Sequence, residues 1–270
     1  VKKAFQFLRS DDPRTKRDGE NYIPTDQLYV LSPDGQPINF KKARRFTRSE
    51  MMVMEMLSTN EWKRPMYFAT TVGSDYHLGL DPYLELTGMA YRITPTRSAD
   101  GRPRVNTEVM YDNMMNKFRY GNVNKPGIYL DENTLRMCRT HRMMFSELAQ
   151  ALYEEGKHDK AIAVLDYAEE MLPGYNVSYD YTSASMAALY YALGENDKGD
   201  AIMTNVADNC VEYMAWAASL PAVQRKSLNQ STVGHYSAVL GFVLNNLQRF
   251  ERKELFNKYF DLYNQYASVR

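Results

Sequence analysis

The stretch LAQALYEEGKHDKAIAVLDYAEEMLPG, Leu148–Gly174, predicts two short helices that pack closely against each other. Ala161 and Ala168 lie in the second predicted helix, where their small side chains let the two backbones approach. Gly156 supplies the turn, and Pro173 ends the second helix because proline cannot continue the hydrogen-bond ladder. The stretch therefore indicates an interaction module built of paired helices rather than a centre for chemistry.

The order of apolar and small residues in this helix pair matches the tetratricopeptide pattern, which repeats about every 34 residues. The matching positions are Leu148, Ala149, Leu152, Gly156, Ala161, Leu165, Ala168 and Pro173. A second, degenerate copy has Met186, Ala187, Tyr190, Gly194, Gly199, Met203 and Val206. A third pair is predicted over YSAVLGFVLNNLQ and ELFNKYFDLYNQY, where the signature is mostly lost, as is common for a capping repeat. We therefore predict about three tetratricopeptide-like helix pairs over residues 131–270.

The first half of the chain predicts a small mixed domain over residues 1–130. The stretch QLYVLSPDGQPINF has apolar residues alternating on either side of Pro33-Asp34-Gly35, which predicts a β-hairpin. Thr47 followed by Glu50 forms a capping-box pattern, which predicts a short helix that ends near Asn60. Strand-like runs follow at RPMYFATTV and GMAYRITPT. The expected fold class of the whole chain is α+β.

Composition and charge exclude several classes of function. Lys plus Arg and Asp plus Glu both number 33, so the chain has no global field that attracts nucleic acid.

The chain begins VKKAFQFLRS without an initiator Met or a signal-peptide pattern, so we expect it to be part of a longer protein. The longest uncharged run, residues 227–248, is rich in amides and hydroxyls, which favours a buried helix over a membrane span. Cys138 and Cys210 are expected to be buried free thiols.

The densest group of titratable side chains lies in SDYHLGLDPYLE, which contains Asp75, His77, Asp81 and Glu85. A histidine between carboxylates is suited to metal binding or acid–base catalysis, whereas most such groups are solvated loop residues. The spacing matches no fixed metal motif, and no GxSxG, P-loop, HExxH or Rossmann glycine pattern occurs in the sequence. We therefore predict no catalytic residue, no metal and no cofactor.

One local concentration of positive charge, KKARRFTR, has two interpretations. Lys41, Lys42, Arg44 and Arg45 could lie against anionic headgroups, where each basic side chain contributes about 1 kcal/mol. The alternative is a solvated approach to the helix that begins after Thr47. Contact with a membrane surface is therefore one of two expectations for this run.

Helical register predicts a binding surface on the first helix of each pair. Carried onward from Leu148, the register places six residues on that face, namely Gln150, Tyr153, Tyr181, Tyr191, His235 and Asn245. Rings flanked by amides suit an extended peptide or a glycosylated segment. The alternative is that these side chains pack against the α+β domain, since a groove in a two-domain fragment is often filled from within.

Several strings in the sequence resemble one family. They are SDDPRTK, NYIPT, MLSTNEWKRPMYFATTVGS, LGLDPYLELTGMAYRITP, FRYGN and GIYLDENTLRM, and they cover most of residues 1–172. They are similar to the C-terminal soluble region of large bacterial inner-membrane proteins in a domain-of-unknown-function family. That family is similar to the eukaryotic protein O-mannosyltransferases with a tetratricopeptide tail. NEWKRPMYFA and LELTGMAYR are the most specific strings.

The resemblance implies a parent enzyme of the GT-C glycosyltransferase type, which moves a sugar from a lipid-linked donor to an acceptor outside the cytoplasm. The acidic catalytic residue of such enzymes lies in the multi-spanning domain, so no catalytic residue carries over to this chain. The chain is then expected to be a non-catalytic periplasmic domain at the bacterial inner membrane. Its expected partners are a protein or glycoprotein acceptor segment and the upstream membrane domain of the same chain.

A second hypothesis is an independent glycan- or peptide-binding repeat protein of the cell envelope. Such a protein is expected to begin at a lipidated cysteine and to run longer than this chain. A free-standing hydrolase is a third hypothesis, and no catalytic motif in the sequence supports it.

Overall fold

The computed structural model of the protein describes residues 16–17, 20–21, 28–41, 46–228 and 230–266. The chain divides into two compact units, Val1–Asn113 and Met114–Arg270, which we call unit 1 and unit 2. Strands and a few short helices make up unit 1, whereas unit 2 consists of helices joined by turns. The predicted α+β class is therefore confirmed. The division comes before residue 130, where sequence patterns place the boundary.

Unit 1 begins with two short antiparallel strands, β1 (Lys16–Arg17) and β2 (Glu20–Asn21). The predicted hairpin follows as β3 (Leu28–Leu31) and β4 (Pro37–Phe40), which pair antiparallel. Their inward side chains, Leu28, Val30, Ile38 and Phe40, are buried in the core of the unit. The alternation of inward and outward side chains along β3 and β4 thus determines which face of the hairpin packs against the core of unit 1.

The predicted helix α1 (Arg48–Asn60) begins with the expected capping box, in which Thr47 and Glu50 cap each other. Glu61 and Trp62 follow with positive φ of 49° and 61° and turn the chain toward the next strand. The indole of Trp62 donates to the carbonyl of Leu31 at 2.8 Å and packs against the core of unit 1. The string NEWKR therefore builds a turn that fastens α1 to β3.

The rest of unit 1 is a four-stranded sheet in the order β5-β7-β6-β8. Its strands are β5 (Tyr67–Ala69), β6 (Leu84–Leu86), β7 (Ala90–Ile93) and β8 (Arg104–Val105). Both predicted strand-like runs are confirmed, as β5 and β7. The β5–β7 and β6–β7 pairs are antiparallel, and β6–β8 is parallel. Helix α2 (Thr107–Tyr111) follows β8 and continues as a π-helix over Asp112–Lys117.

Unit 2 contains three helical hairpins. They are α3 (Glu132–Glu154) with α4 (His158–Met171), α5 (Tyr181–Ala192) with α6 (Asn196–Ser219), and α8 (Gln230–Arg249) with α9 (Lys253–Tyr266). The short helix α7 (Ala222–Ser227) lies between the second and third hairpins. The first helix of the middle hairpin, α5, packs against the first helices of both others, α3 and α8. The hairpins therefore stack side by side, as in a helical repeat.

The three hairpins turn in the same way. The N–H groups of Lys157, Glu195 and Arg252 donate to the carbonyls of Leu152, Tyr190 and Leu247 at 2.8 to 2.9 Å. The residue before each donor has positive φ, at Gly156 (74°), Gly194 (84°) and Glu251 (57°). Identical turns give the hairpins a common register even where side chains differ. The third hairpin thus keeps the turn although it lacks the glycine.

Small residues lie where the helices of the hairpins approach most closely. Ala149, Ala161 and Ala168 have no more than 1% of their surface exposed. In the second hairpin Gly199 takes the position of Ala161, and a Cβ there would lie 2.5 Å from a ring carbon of Tyr191. The position therefore has room for no side chain while the ring stays in place.

Buried tyrosine hydroxyls connect the helices of unit 2. Tyr190 of α5 donates to Asp166 of α4 at 2.8 Å, and Tyr259 of α9 donates to Asp208 of α6 at 2.7 Å. Lysines complete both groups, because Lys198 binds Asp166 at 2.8 Å and Lys258 lies over the ring of Tyr259. Burial, and then the hydrogen bond to Asp166, raises the pKa of Tyr190, so its hydroxyl stays a donor.

The same arrangement occurs around Asp200 of α6. Its carboxylate accepts the hydroxyl of Tyr191 at 2.7 Å and two guanidinium N–H groups of Arg252, one of them at 2.9 Å. Arg252 belongs to the turn between α8 and α9, so this group connects the second hairpin with the third. Each connection is a charge-assisted hydrogen bond with a fixed geometry.

The uncharged run of residues 227–248 supplies most of α8, which buries Leu240, Val243 and Leu247. Within the described ranges, no helix has both the length and the apolar character needed to cross a bilayer. The run therefore packs as a core helix, as the sequence predicted.

Replacing Gly199 with alanine should destabilise unit 2 by about 1–3 kcal/mol, because the new methyl group overpacks the ring of Tyr191. Gly241 is the matched control, since it also lies within a helix but a Cβ there meets nothing within 4 Å. Gly241→Ala should stabilise by about 0.5–1 kcal/mol through helix propensity. Urea denaturation measures both. Equal shifts of the two midpoints would contradict the close approach at Gly199.

Asp200→Asn should change stability in a pH-dependent way. Burial tends to raise the pKa of Asp200, but hydrogen bonds from Arg252 and Tyr191 outweigh it and hold the pKa below the usual 3.8. The stabilisation is therefore present above about pH 4 and is lost as the pH falls through the lowered pKa. We expect the variant to be less stable than the wild type at pH 7, with a difference that shrinks as the pH falls below 4.

Urea denaturation over a series of pH values measures this difference. Asp261→Asn, which removes an exposed carboxylate of α9, is the control and should show a much smaller loss at pH 7. A difference between wild type and Asp200→Asn that is constant with pH would show that the charge of Asp200 does not stabilise the fold.

Candidate functional site

The common register of the hairpins defines an exposed face on their first helices. Residues spaced by four, three and four positions lie on one side of a helix. We counted residues at this spacing back from the turn residues Gly156, Gly194 and Glu251. The residues reached in this way are exposed or partly exposed on all three first helices, α3, α5 and α8. The set consists of Met143, Glu147, Gln150 and Glu154 on α3, Tyr181, Ser185, Ala188 and Ala192 on α5, and Ala238, Phe242, Asn245 and Arg249 on α8. We call it the first-helix face.

Side-chain size gives this face the form of a trough. The middle helix α5 presents only Ser185, Ala188 and Ala192 after its first residue. The flanking helices α3 and α8 present longer polar side chains at the same levels, such as Gln150 and Asn245. At the levels of Ala188 and Ala192 the trough therefore has a floor of small side chains between two polar walls, whereas Phe242 makes the level before them apolar on α8.

Three of the six residues predicted to bind lie on the first-helix face. Gln150 and Asn245 are exposed at equivalent positions of α3 and α8. The amide of Gln150 donates to Glu154 at 2.8 Å. Tyr181 is 49% exposed, and its ring centroid lies 4.5 Å from that of Phe242 on the neighbouring first helix. This aromatic pair closes one end of the trough.

The other three predicted residues lie elsewhere. Tyr153 is partly buried and stacks on His158, with ring centroids 5.2 Å apart. Tyr191 is only 5% exposed, because its ring fills the space above Gly199 and its hydroxyl binds Asp200. His235 is exposed on an N-terminal turn of α8, beside Tyr236. The placement of Tyr191 on an open face is therefore corrected to the interior.

The walls of the trough differ in charge. Glu147 and Glu154 lie on α3, whereas Arg249 ends the corresponding stripe on α8. Removal of water by the surrounding protein raises the pKa of Glu147, and the negative charge of Glu154 raises it further. A cationic group that binds beside the two carboxylates would relieve this repulsion.

A buried arginine, which the sequence analysis did not identify, positions the middle hairpin. Arg142 is fully buried on α3, and its guanidinium donates to the carbonyls of Leu172, Val177 and Ser178 at 2.7 to 2.9 Å. These carbonyls belong to the link between α4 and α5. Burial lowers the pKa of Arg142, although the charges of Asp180 and Glu169 oppose this effect. The link is therefore fixed from inside, and with it the start of α5.

Tyr179 completes this group. Its ring lies under the guanidinium of Arg142, with 5.3 Å between the guanidinium carbon and the ring centroid. Its hydroxyl donates to Glu169 at 2.5 Å. Gly174 allows this arrangement, since a Cβ there would lie 2.5 Å from the same ring. The group acts in folding, because the three side chains face the link rather than the trough.

The titratable group of unit 1 does not converge on one point. His77 Nδ1 lies 2.9 Å from Asp81, whereas Glu85 pairs with Arg104 at 3.0 Å. His77 is 4% exposed between the rings of Phe68 and Tyr91, so its interpretation as a solvated loop residue is wrong. In the part of the chain that the structure describes, no three His, Cys, Asp or Glu residues are grouped so as to hold a metal ion.

The positively charged run lies partly outside the described residues, which include Lys41 and Arg48 but not Lys42, Arg44 or Arg45. The N–H of Lys41 donates to the carbonyl of Leu78 at 2.7 Å, so the end of β4 is fastened to the loop that carries His77. The proximity of a membrane surface to this run stays a prediction.

Both cysteines are buried free thiols, as expected from the sequence. Burial raises the pKa of the Cys210 thiol to about 12, so it stays protonated at neutral pH. Burial also raises the pKa of Cys138. Neither thiol is therefore suited to act as a nucleophile.

A family model matches part of the chain. Residues 34–111 match the family model described as TMEM260-associated domain 2. The matched range runs from the β3–β4 turn to the end of α2 and so covers most of unit 1. This part of the chain is therefore similar to a domain tied to a TMEM260-like membrane protein. Neither the curated proteins nor the solved structures give a match to the chain.

Alanine substitutions separate the buried from the exposed predicted tyrosines. Tyr191→Ala should lower the free energy of unfolding by about 3–5 kcal/mol, because it leaves a cavity and removes a buried hydrogen bond. Tyr181→Ala removes a half-exposed ring and should cost about 1 kcal/mol. Chemical denaturation of both variants measures the difference. A smaller loss for Tyr191→Ala than for Tyr181→Ala would contradict the placement of the two rings.

Proposed function

We propose that the chain is a non-catalytic domain of a TMEM260-like, multi-spanning membrane glycosyltransferase, and that its first-helix face binds an extended segment of the acceptor protein. The trough with amide groups on both walls is the observation that carries this proposal. The family match of residues 34–111 supports the link to a membrane protein. The resemblance to the protein O-mannosyltransferases supports the sugar-transfer context.

The trough suits an extended polypeptide for three reasons. Each of Gln150 and Asn245 has a carbonyl and an NH₂ group, which together match the C=O and N–H of an extended backbone. The small floor at Ala188 and Ala192 lets that backbone approach α5. The Tyr181–Phe242 pair offers an apolar contact at one end. Segments rich in Ser, Thr, Ala and Gly would fit best, because long side chains would meet the floor.

We place the chain, in this proposal, on the periplasmic face of the bacterial inner membrane beside the upstream membrane domain. That domain would transfer the sugar, while this chain would hold the acceptor near it. The buried network around Arg142 supports a holding role, since it makes the start of α5 rigid before any ligand arrives. A preformed surface loses less conformational entropy on binding than a mobile one.

Site-specific photocrosslinking tests the proposal. A photoreactive amino acid at Ala192, which is exposed on the first-helix face, should crosslink to acceptor proteins in cells that make the full-length protein. Ala201, exposed on the second helix α6, is the matched control and should give no such product. Products at Ala192 that join only parts of the same chain would show that the trough is filled from within.

The amides are tested in the same assay. Replacing both Gln150 and Asn245 with alanine should reduce the crosslinked product at Ala192 about tenfold, as expected for the loss of two to three net hydrogen bonds. Asn205→Ala removes an exposed amide from α6 and should leave the product unchanged. Equal amounts from all variants would exclude a role of the amides in binding.

A further inference from the structure

Helix α6 is longer than its counterpart α4, and α8 is longer than its counterpart α5, as α3 also is. Helix α6 has 24 residues where α4 has 14, and α8 has 20 where α5 has 12. The rings of Tyr213 and Tyr236 join the last turns of α6 to the first turns of α8. Arg225 of α7 holds the start of the connection, since it donates to the carbonyls of Ala218 and Leu220 at 3.2 and 3.0 Å. The extra turns therefore form a braced extension.

This extension presents a cluster of aromatic side chains. Tyr213 and Tyr236 stack with ring centroids 4.1 Å apart and an angle of 19° between the ring planes. Trp216 lies 5.4 Å from Tyr213 at an angle of 52° and is 48% exposed. His235 is exposed and meets the edge of Tyr236. We call these four residues the aromatic platform.

The surface beside the platform on α8 is polar but uncharged. Residues 227–248 contain no Asp, Glu, Lys or Arg. Ser231, Thr232 and Ser237, which neighbour the platform along this helix, carry hydroxyl groups instead. Gly234 adds open space, because a Cβ there would meet nothing within 4 Å. Such a surface on α8 offers hydrogen bonds and ring faces to a ligand, and the exposed Glu212, one turn before Trp216 on α6, adds a carboxylate that can accept hydrogen bonds.

We propose that the aromatic platform is a carbohydrate-binding site that takes a pyranose ring. The face of an aromatic ring carries partial negative charge, and the C–H groups on one side of a pyranose carry partial positive charge, so the two attract. The hydroxyls around the sugar find donors and acceptors in His235 and in the indole and phenol edges. This site lies on the extension, and none of its four residues belongs to the first-helix face.

The polar edges and the scarcity of cations around the platform favour a sugar over the other occupants of an exposed aromatic surface. Binding to an anionic membrane needs several Lys or Arg residues. Val223 of α7 is 81% exposed, but α7 carries only two basic residues, and the guanidinium of one of them, Arg225, is already engaged with backbone carbonyls. A purely apolar partner would leave the imidazole of His235 and the indole N–H without water. A pyranose satisfies both the ring faces and the polar edges.

Titration of the 270-residue chain with methyl α-D-mannopyranoside and methyl α-D-glucopyranoside tests this inference. Saturation-transfer NMR should show binding of at least one glycoside, with the strongest transfer to the ring C–H protons. Trp216→Ala should weaken the affinity at least about tenfold, which corresponds to about 1.4 kcal/mol. Tyr129→Ala removes an aromatic ring that is 91% exposed elsewhere in unit 2 and should leave the affinity unchanged.

Sorbitol is the matched ligand control, because it has similar hydroxyls but no ring with an apolar face, and it should not bind. If Trp216→Ala fails to fold by circular dichroism, His235→Ala replaces it, since its side chain is exposed, and should weaken binding about threefold. Absence of glycoside binding, equal transfer to sorbitol or unchanged affinity of the folded variants would overturn the proposal. So would a dimer or vesicle association that depends on Trp216.

These outcomes are independent of the function proposed for the first-helix face. Crosslinking at Ala192 reports on the trough, and Trp216→Ala should leave the crosslinks of unglycosylated acceptors unchanged. Replacement of Gln150 and Asn245 should in turn leave glycoside binding unchanged. If the assay for one site shows no binding, the assay for the other site can therefore still succeed or fail independently.

Discussion

A tyrosine hydroxyl that donates to a carboxylate on another segment, with a cation close to the ring, sets the arrangement of unit 2. The pairs Tyr179–Glu169, Tyr190–Asp166, Tyr191–Asp200 and Tyr259–Asp208 all have this form. A buried hydroxyl without a partner costs free energy, so each pair strongly favours one spacing of the segments that carry it. The spacing of the hairpins, and with it the width of the trough, follows from these pairs.

The sequence predicts the hairpins well because the signals that make them are local. The signals of the first hairpin all lie within a single repeat. Its small residues Ala149, Ala161 and Ala168 are buried, and the chain turns at Gly156 with positive φ. In the third hairpin the turn depends on backbone hydrogen bonds, which Glu251 also permits. Side-chain patterns alone therefore show the third hairpin only weakly.

The candidate site was harder to predict because it depends on residues far apart in the sequence. Helical register places Tyr191 near the exposed face, but the absence of a side chain at Gly199 opens a space that its ring fills. The group around Arg142 depends on carbonyls of a link some thirty residues away, which no local pattern reveals. The one local signal for this group was the position of Arg142, a charged residue just before the apolar residues of α3. Gln150 and Asn245 were identified because exposure follows directly from the helical period.

Helix α8 takes part in both proposed sites, and this relates their ligands. The levels of His235 and Asn245 on this helix are about 15 Å apart along its axis, given a rise of 1.5 Å per residue. An extended segment of about five residues covers that distance. A peptide that contacts Asn245 and carries a sugar about five residues away therefore reaches both surfaces. If both proposed sites bind, the second contact is intramolecular, so such a glycosylated acceptor would be held more tightly than either its peptide or its sugar alone.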